Sequence, residues 1–199
     1  MTPVGDVDLI LASGSRYRAE LLARIAPRFR QVSPQTDEAP RPGEAALELV
    51  ARLARAKADA VAAAHPGSVV IGSDQVAELD GAIVGKPGSP AAAAAQLRAA
   101  SGRTVAFHTG LCVVDARRAP ARHHAAIDTT RVTFRALDAA QIACYVQREA
   151  ALDCAGSFKA EGLGIALFER IASDDPTALI GLPLIALCRL LAAIGVAVI

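Results

Sequence analysis

Tryptophan is absent from the 199 residues, methionine occurs once, and aromatics make up only 4% of the chain. So few rings leave few platforms for stacking single-stranded bases, and no RNA- or DNA-binding signature is present. The formal net charge of +1 gives no global attraction to nucleic acid or to a membrane surface. The four cysteines, Cys112, Cys144, Cys154 and Cys188, show no CxxC spacing and no paired pattern. Reduced thiols in a cytoplasm are the expected state. The first eight residues carry acids where a secretory leader needs bases, so a cytoplasmic location is expected. The apolar run at 190–199 is too short to span a bilayer, and Arg189 interrupts its extension. Dinucleotide, nucleophile-elbow and zincin fingerprints are missing. GAIVGKP at 81–87 fails as a phosphate loop of the Walker type, because Gly81 and Gly85 stand too close and Pro87 replaces the magnesium-binding Ser or Thr. Cys154 has no identifiable base partner, so thiol catalysis is not indicated.

What remains is an apolar, alanine-rich chain, 53% hydrophobic, that reads as a single domain over 1–199, in one lobe or two. Its most informative stretch is VVIGSDQVAELDGAIVGKP at 69–87. Val69, Val70 and Ile71 are a β-branched run suited to a buried strand. Asp74 stands near its end, where open α/β folds place ligands. Asp80-Gly81 between two short apolar runs predicts a hairpin, because both central positions of its turn need positive φ. The hairpin returns Lys86 toward its own start, so Asp74, Gln75 and Lys86 are expected near one point. A lone Asp or Lys is more often a turn cap or a solvated loop residue.

Before this stretch, residues 9–12 read as a strand, Ser13-Gly14-Ser15 as a turn, and Arg16-Tyr17-Arg18 as the opening of a helix. Small residues before a helix start, with arginines in its first turn, suit an anion. Residues 29–33 suggest a second strand. Asp37 and Glu38 precede a Pro-rich turn; they are either surface acids or a source of one ligand for a divalent cation. Residues 44–64 predict a long helix that puts Lys57 on the apolar stripe with Val50, Leu53, Ala54 and Val61. The lysine either snorkels to the surface or reaches along the buried face into a cleft.

Beyond the central stretch, Ser89-Pro90 caps a helix ending at Gly102, and 104–115 is a strand containing His108. Residues 117–124 read as a loop, with no metal pair at His123 and His124, and 126–135 as another strand. Asp138 caps a helix running to about Glu149. The loop CAGSFKAEGLG at 154–164 holds Lys159 and Glu161 two apart, sharing a face if the backbone there is extended. Residues 165–168 suggest a last strand, 180–183 a tight connection without obvious chemistry, and 183–193 a closing helix.

Ser13, Arg16, Arg18, Glu38, Lys57, Asp74, Lys86, Lys159 and Glu161 supply several cations, some carboxylates and no good protein nucleophile. Such a set suits a polyanionic substrate held with a divalent metal, and phosphoanhydride hydrolysis is the natural reaction class.

The same residues resemble the Maf-like nucleotide pyrophosphatases, most closely the branch acting on 7-methyl-GTP. The matching segments are LASGSRYR at 11–18, Asp37-Glu38, RLARAKA at 52–58, IGSDQV at 71–76, DGAIVGKP at 80–87, FHTGL at 107–111, CAGSFKAEGLG at 154–164 and DPTALIGLPL at 175–184. The resemblance implies an α/β fold of the inosine-triphosphate-pyrophosphatase type: a mixed elongated sheet flanked by helices, in two lobes with a central cleft. It implies cleavage between the α and β phosphates, with Asp74 as proton acceptor for the attacking water. By motif position, Ser13, Arg18, Lys57, Lys86 and Lys159 correspond to substrate-binding residues, and Glu38 with Asp74 to the holders of Mg2+, Mn2+ or a similar cation. Tyr17, Gln75 and Glu161 fall at the positions that track base choice. An aromatic at 17 suits stacking on a cationic base, and a carboxylate at 161 complements the positive methylated ring. The branch usually has Trp where this chain has Tyr17, and the family usually has Pro where it has Arg16. The same chemistry on dTTP, UTP or other modified nucleotides, and a non-catalytic nucleotide-binding regulator of cell division, are the alternatives. The expected partner is a nucleoside triphosphate, with no nucleic acid and no membrane, and a homodimer suits the resemblance.

Overall fold

The computed structural model describes residues 1–149 and 151–199. In chain order its strands and helices are β1 (Thr2–Pro3), β2 (Leu9–Ala12), α1 (Arg16–Leu22), β3 (Arg30–Val32), α2 (Ala46–Ala62), β4 (Val69–Leu79), β5 (Ala82–Val84), α3 (Pro90–Ala100), β6 (Thr104–Asp115), β7 (Arg122–Phe134), α4 (Ala139–Arg148), β8 (Phe168–Ala172), α5 (Leu184–Ala193) and β9 (Val196–Ala197). Helix starts follow the local chemistry. Ser15 Oγ accepts from Arg18 N at 3.4 Å, Ser89 Oγ from Ala92 N at 3.2 Å, and Asp138 Oδ1 from Gln141 N at 2.8 Å. Each satisfies an N–H that has no partner within its own helix.

The chain forms two compact units. The first comprises 1–74, 109–128 and 175–199, and the second 75–108 and 129–174. In the first, β2 pairs in parallel with both β3 and β4, and β6 follows β4 in the strand order. Strands β2, β4 and β6 carry continuous apolar runs here, at 9–12, 69–71 and 111–114, because both faces are covered, whereas the short edge strand β3 is polar and largely exposed. Leu9, Leu11, Val69, Ile71, Leu111 and Val113 point into one cluster with Leu21, Leu22, Leu187 and Leu191 of α1 and α5. The alternate residues, Ile10, Ala12, Val70, Cys112 and Val114, meet Ala54, Ala58 and Val61 of α2. Two glycines set how closely α2 lies on the sheet. A Cβ at Gly72 would collide with Ala54 O and Ala58, and one at Gly110 would stand 2.6 Å from Val50 O.

In the second unit the end of β4 pairs antiparallel with β5, Ala77 opposite Val84 and Leu79 opposite Ala82. Asp80 and Gly81 have φ of 51° and 80°, as the hairpin signal requires. The apolar centre here is aromatic. Phe107, Phe134, Phe158 and Phe168 meet edge to face at centroid distances of 4.6–5.7 Å.

The mixed α/β class stands, and four boundaries differ from the sequence reading, the first being that β4 runs on through Asp74 to Leu79 instead of ending beside Asp74. Strand β7 begins at Arg122, inside the expected loop at 117–124. The run at 165–168 is mostly a 3₁₀ turn, Leu163–Leu167, and the strand follows it as β8. The apolar terminus contributes β9, which pairs in parallel with β1, Thr2 opposite Val196. No described helix is long and apolar enough to cross a membrane.

Candidate active site

Asp74 lies on β4 two residues beyond Gly72, so both face α2. The close seating of α2 brings Lys57 down onto that face. Lys57 is 5% exposed and Asp74 8%. The Lys57 ammonium donates to Asp74 Oδ1 at 2.6 Å and pairs with Glu38 Oε1 at 2.7 Å. Lys57 therefore does not snorkel; it bridges two carboxylates. Glu38 is held from behind by its own loop. Arg52 grips Glu44 with two bonds of 2.5 and 2.7 Å and donates to Ala39 O at 3.0 Å, while Arg41 N donates to Glu44. Arg52 draws the Glu44 carboxyl down to about 2.

The loop before α1 adds a second cation. Ser13 is buried, and its Oγ accepts from Ser15 N at 3.1 Å and from the Arg18 guanidinium at 3.3 Å. Arg18 Nε donates to Gly181 O at 2.8 Å. Burial pulls the Arg18 guanidinium below its ordinary value, opposed by the negative fields of Asp74 and Glu38. Ser73, on the opposite face of β4 from Asp74, also donates to Gly181 O, at 2.9 Å. The connection at 180–183 thus contributes a backbone acceptor that ties the arginine-bearing loop to the strand. A main-chain carbonyl has no side chain to announce it, so the sequence offered no signal beyond the positive-φ glycine.

Tyr17 is half-buried, and Arg16 lies over it. The guanidinium carbon is 4.8 Å from the ring centroid, and Nη2 donates to the hydroxyl at 3.0 Å. Arg16, without an assigned role in the sequence, proves to be the cation covering Tyr17.

The remaining expected residues belong to the second unit. Gln75 follows Asp74 on β4, and exposed Lys86 leaves β5 on the return arm of the hairpin. Gln96 of α3 connects this arm to the glycine-rich loop: its Nε2 donates to Gly85 O at 3.0 Å and its Oε1 accepts from Ser157 Oγ at 2.5 Å. Lys159 and Glu161 do not lie on an extended segment. Gly162 N donates to Lys159 O at 3.2 Å, closing a turn with half-exposed Lys159 at its start and exposed Glu161 near its tip. The shared-face argument for this pair is therefore corrected. Extension is prevented by hydrogen bonds from α4, which no local pattern announces.

The first unit thus brings together Ser13, Arg18, Glu38, Lys57 and Asp74. Among the described residues, no group of three or more His, Cys, Asp or Glu side chains gathers as a metal site. Two carboxylates that already share one cation, Lys57, nevertheless form a hard-oxygen pair. That fits a magnesium-like ion, which takes one or two carboxylates and fills its shell with water and phosphate oxygens. A water beside Asp74 and an anion beside Arg18 and Lys57 are the ingredients for hydrolysing a phosphoanhydride.

Comparison with known proteins agrees with this chemistry. Residues 8–194 match the family described as Maf-like protein. The chain is 57% identical over 187 residues to a 7-methyl-GTP pyrophosphatase of Xanthomonas oryzae pv. oryzae, covering 94% of this chain and 96% of that protein. It is 55% identical over 187 residues to the Bordetella pertussis protein of the same name, covering 94% and 92%. Among solved structures, the Ham1 protein of Staphylococcus aureus is 18% identical with a TM-score of 0.47, covering 64% of this chain and 71% of that one, too slight a likeness to bear on function.

Proposed function

Because the chain belongs to the Maf-like family, we propose that it is a nucleoside triphosphate pyrophosphatase that converts 7-methyl-GTP to 7-methyl-GMP and diphosphate. The bridge of Lys57 between Asp74 and Glu38, beside Arg18, carries this reading. The name shared by relatives at 55–57% identity supports the substrate.

Asp74 accepts the proton of the attacking water. Lys57 fixes the carboxylate through Oδ1, so its orientation is set before substrate arrives. Arg18, anchored at Nε by Gly181 O, presents its guanidinium to phosphate oxygens, with Ser13 orienting one terminal nitrogen. Lys57, Lys86 and Lys159 counter the remaining phosphate charge. Glu38 and Asp74 would hold a divalent cation such as Mg2+ or Mn2+, which when bound neutralises charge on the phosphates. Gln75 and Glu161 read the base, and Tyr17 stacks on it. Removal of modified nucleotides from the cell's pool is the service such a reaction provides.

Diphosphate release from 7-methyl-GTP, GTP, dTTP, UTP and CTP, measured in parallel with magnesium or manganese, tests this function. The expected result is a preference for 7-methyl-GTP. A preference for dTTP or UTP would overturn the base assignment and leave the chemistry standing. Tight nucleotide binding with no diphosphate release would replace the enzyme by a regulator.

A further inference from the structure

Glu149 is the capping residue just past the C-terminus of α4, and Tyr145 lies one turn before it; neither belongs to the set proposed to touch substrate. Their side chains are joined, Tyr145 Oη donating to Glu149 Oε2 at 2.9 Å. Both then reach the glycine-rich loop. Lys159 N donates to Tyr145 Oη at 3.3 Å, Leu163 N to Glu149 Oε1 at 3.3 Å, and Gly164 N to Glu149 Oε2 at 3.0 Å. The turn carrying Glu161 is thus held at both ends, at Lys159 by the phenol and at Leu163–Gly164 by the carboxylate. Burial and the facing carboxylate push the Tyr145 phenol well above its ordinary value, so it remains a donor throughout the physiological range. The fit is tight: a Cβ at Gly162 would collide with Glu149 Oε1, and one at Gly164 with Lys159 O.

We propose that Tyr145 and Glu149 are positioning residues for base selection, clamping the Lys159–Gly164 turn so that Glu161 is presented in one orientation. This rests on the reading of Glu161 as the residue that recognises the methylated base. A carboxylate at the tip of a four-residue turn discriminates only if the turn does not pivot, because a freely moving charge meets methylated and unmethylated rings alike. The clamp removes the pivot without contributing a group to the ligand.

The experiment is a double-mutant cycle on discrimination, the ratio of kcat/KM for 7-methyl-GTP to that for GTP, in wild type, Tyr145→Phe, Glu161→Gln and the double variant. Tyr145→Phe removes one hydroxyl and keeps the ring. It is expected to lower discrimination by about fivefold to tenfold, the upper part of the range of one ordinary hydrogen bond. Glu161→Gln lowers it at least as far, and the double variant no further. Equal losses on both nucleotides in Tyr145→Phe, or additive losses in the double variant, would overturn the clamp. Unchanged discrimination in Glu161→Gln would instead overturn the base-reading role itself, and the clamp with it. Glu149→Gln, checked for an unchanged melting temperature, supplies a second variant: the proposal requires it to lose discrimination and the backbone exchange protection at Leu163 and Gly164. Retention of both would sink the proposal.

Discussion

Lys57 Nζ stands 2.6 Å from Asp74 Oδ1, and both groups are shielded from water by the close approach of α2 to β4. A buried pair of this kind contributes orientation more than stability, since desolvation offsets much of the attraction. Breaking it from one side has the larger effect. Lys57→Met is expected to lower stability by about 3 kcal/mol, because it leaves a buried carboxylate without its cation. Activity should fall by about 100-fold or more from the missing phosphate contact. Urea unfolding and diphosphate release measure the two separately, and a variant that kept full turnover would contradict the assigned role.

Asp74→Asn tests the other end. Lys57 keeps its pair with Glu38 and still donates to the amide oxygen, so the melting temperature should fall less than in Lys57→Met. Turnover should drop by about 100-fold to 10,000-fold, the usual contribution of a general base. Wild-type turnover in this variant would remove Asp74 from the mechanism.

Arg16 covers the ring of Tyr17, and a positively charged base would compete for the same π surface. Arg16→Ala should therefore lower KM for 7-methyl-GTP by about threefold, on the scale of an exposed cation–π contact. KM for uncharged bases should stay put. A rise in KM for every nucleotide would instead make Arg16 a phosphate ligand.

Gln96 ties the Lys86 arm to the glycine-rich loop through Gly85 O and Ser157 Oγ. Gln96→Ala is expected to raise KM for all triphosphates alike by about fivefold, the scale of one or two ordinary hydrogen bonds, without changing base preference. A selective effect on the methylated base would show that the link serves recognition instead.

The Glu44 carboxyl has its pKa lowered from 4.5 to about 2 by Arg52. The folded state thus binds the proton less readily than the unfolded one, so the stabilisation is complete above pH 4.5 and is lost as pH falls toward 2. Melting temperatures of wild type and Glu44→Gln should differ at neutral pH and converge in acid. A constant difference from pH 7 to pH 3 would disprove the assignment.

The sequence disclosed what depends on neighbours in the chain and concealed what depends on distant ones. The turn at Asp80-Gly81 was legible because positive φ is a local demand, and the caps at Ser89 and Asp138 because they satisfy their own helices. Periodicity placed Lys57 on the apolar face of α2 but not its depth, which is set by Gly72 and Gly110 on separate strands. The apolar run at 165–168 was too short to distinguish a 3₁₀ turn from a strand. The conformation around Glu161 was misjudged because its hydrogen bonds come from Tyr145 and Glu149, more than ten residues away. The charges of the first unit were readable, but its backbone acceptor at Gly181 was not; nor, in the second unit, were the hydrogen bonds made by Gln96, Tyr145 and Glu149.

The glycines beneath α2 act as a spacer of zero thickness. Gly72→Ala would insert one methyl group between helix and strand, lift Lys57 away from Asp74 and uncouple the two carboxylates, with every polar side chain still present. A survey of inactive variants would then count Gly72 and Gly110 among the chemical residues, although what they face is the backbone of α2. What they specify is length: the gap fits a lysine, and the reaction inherits its geometry from two side chains that are only hydrogen.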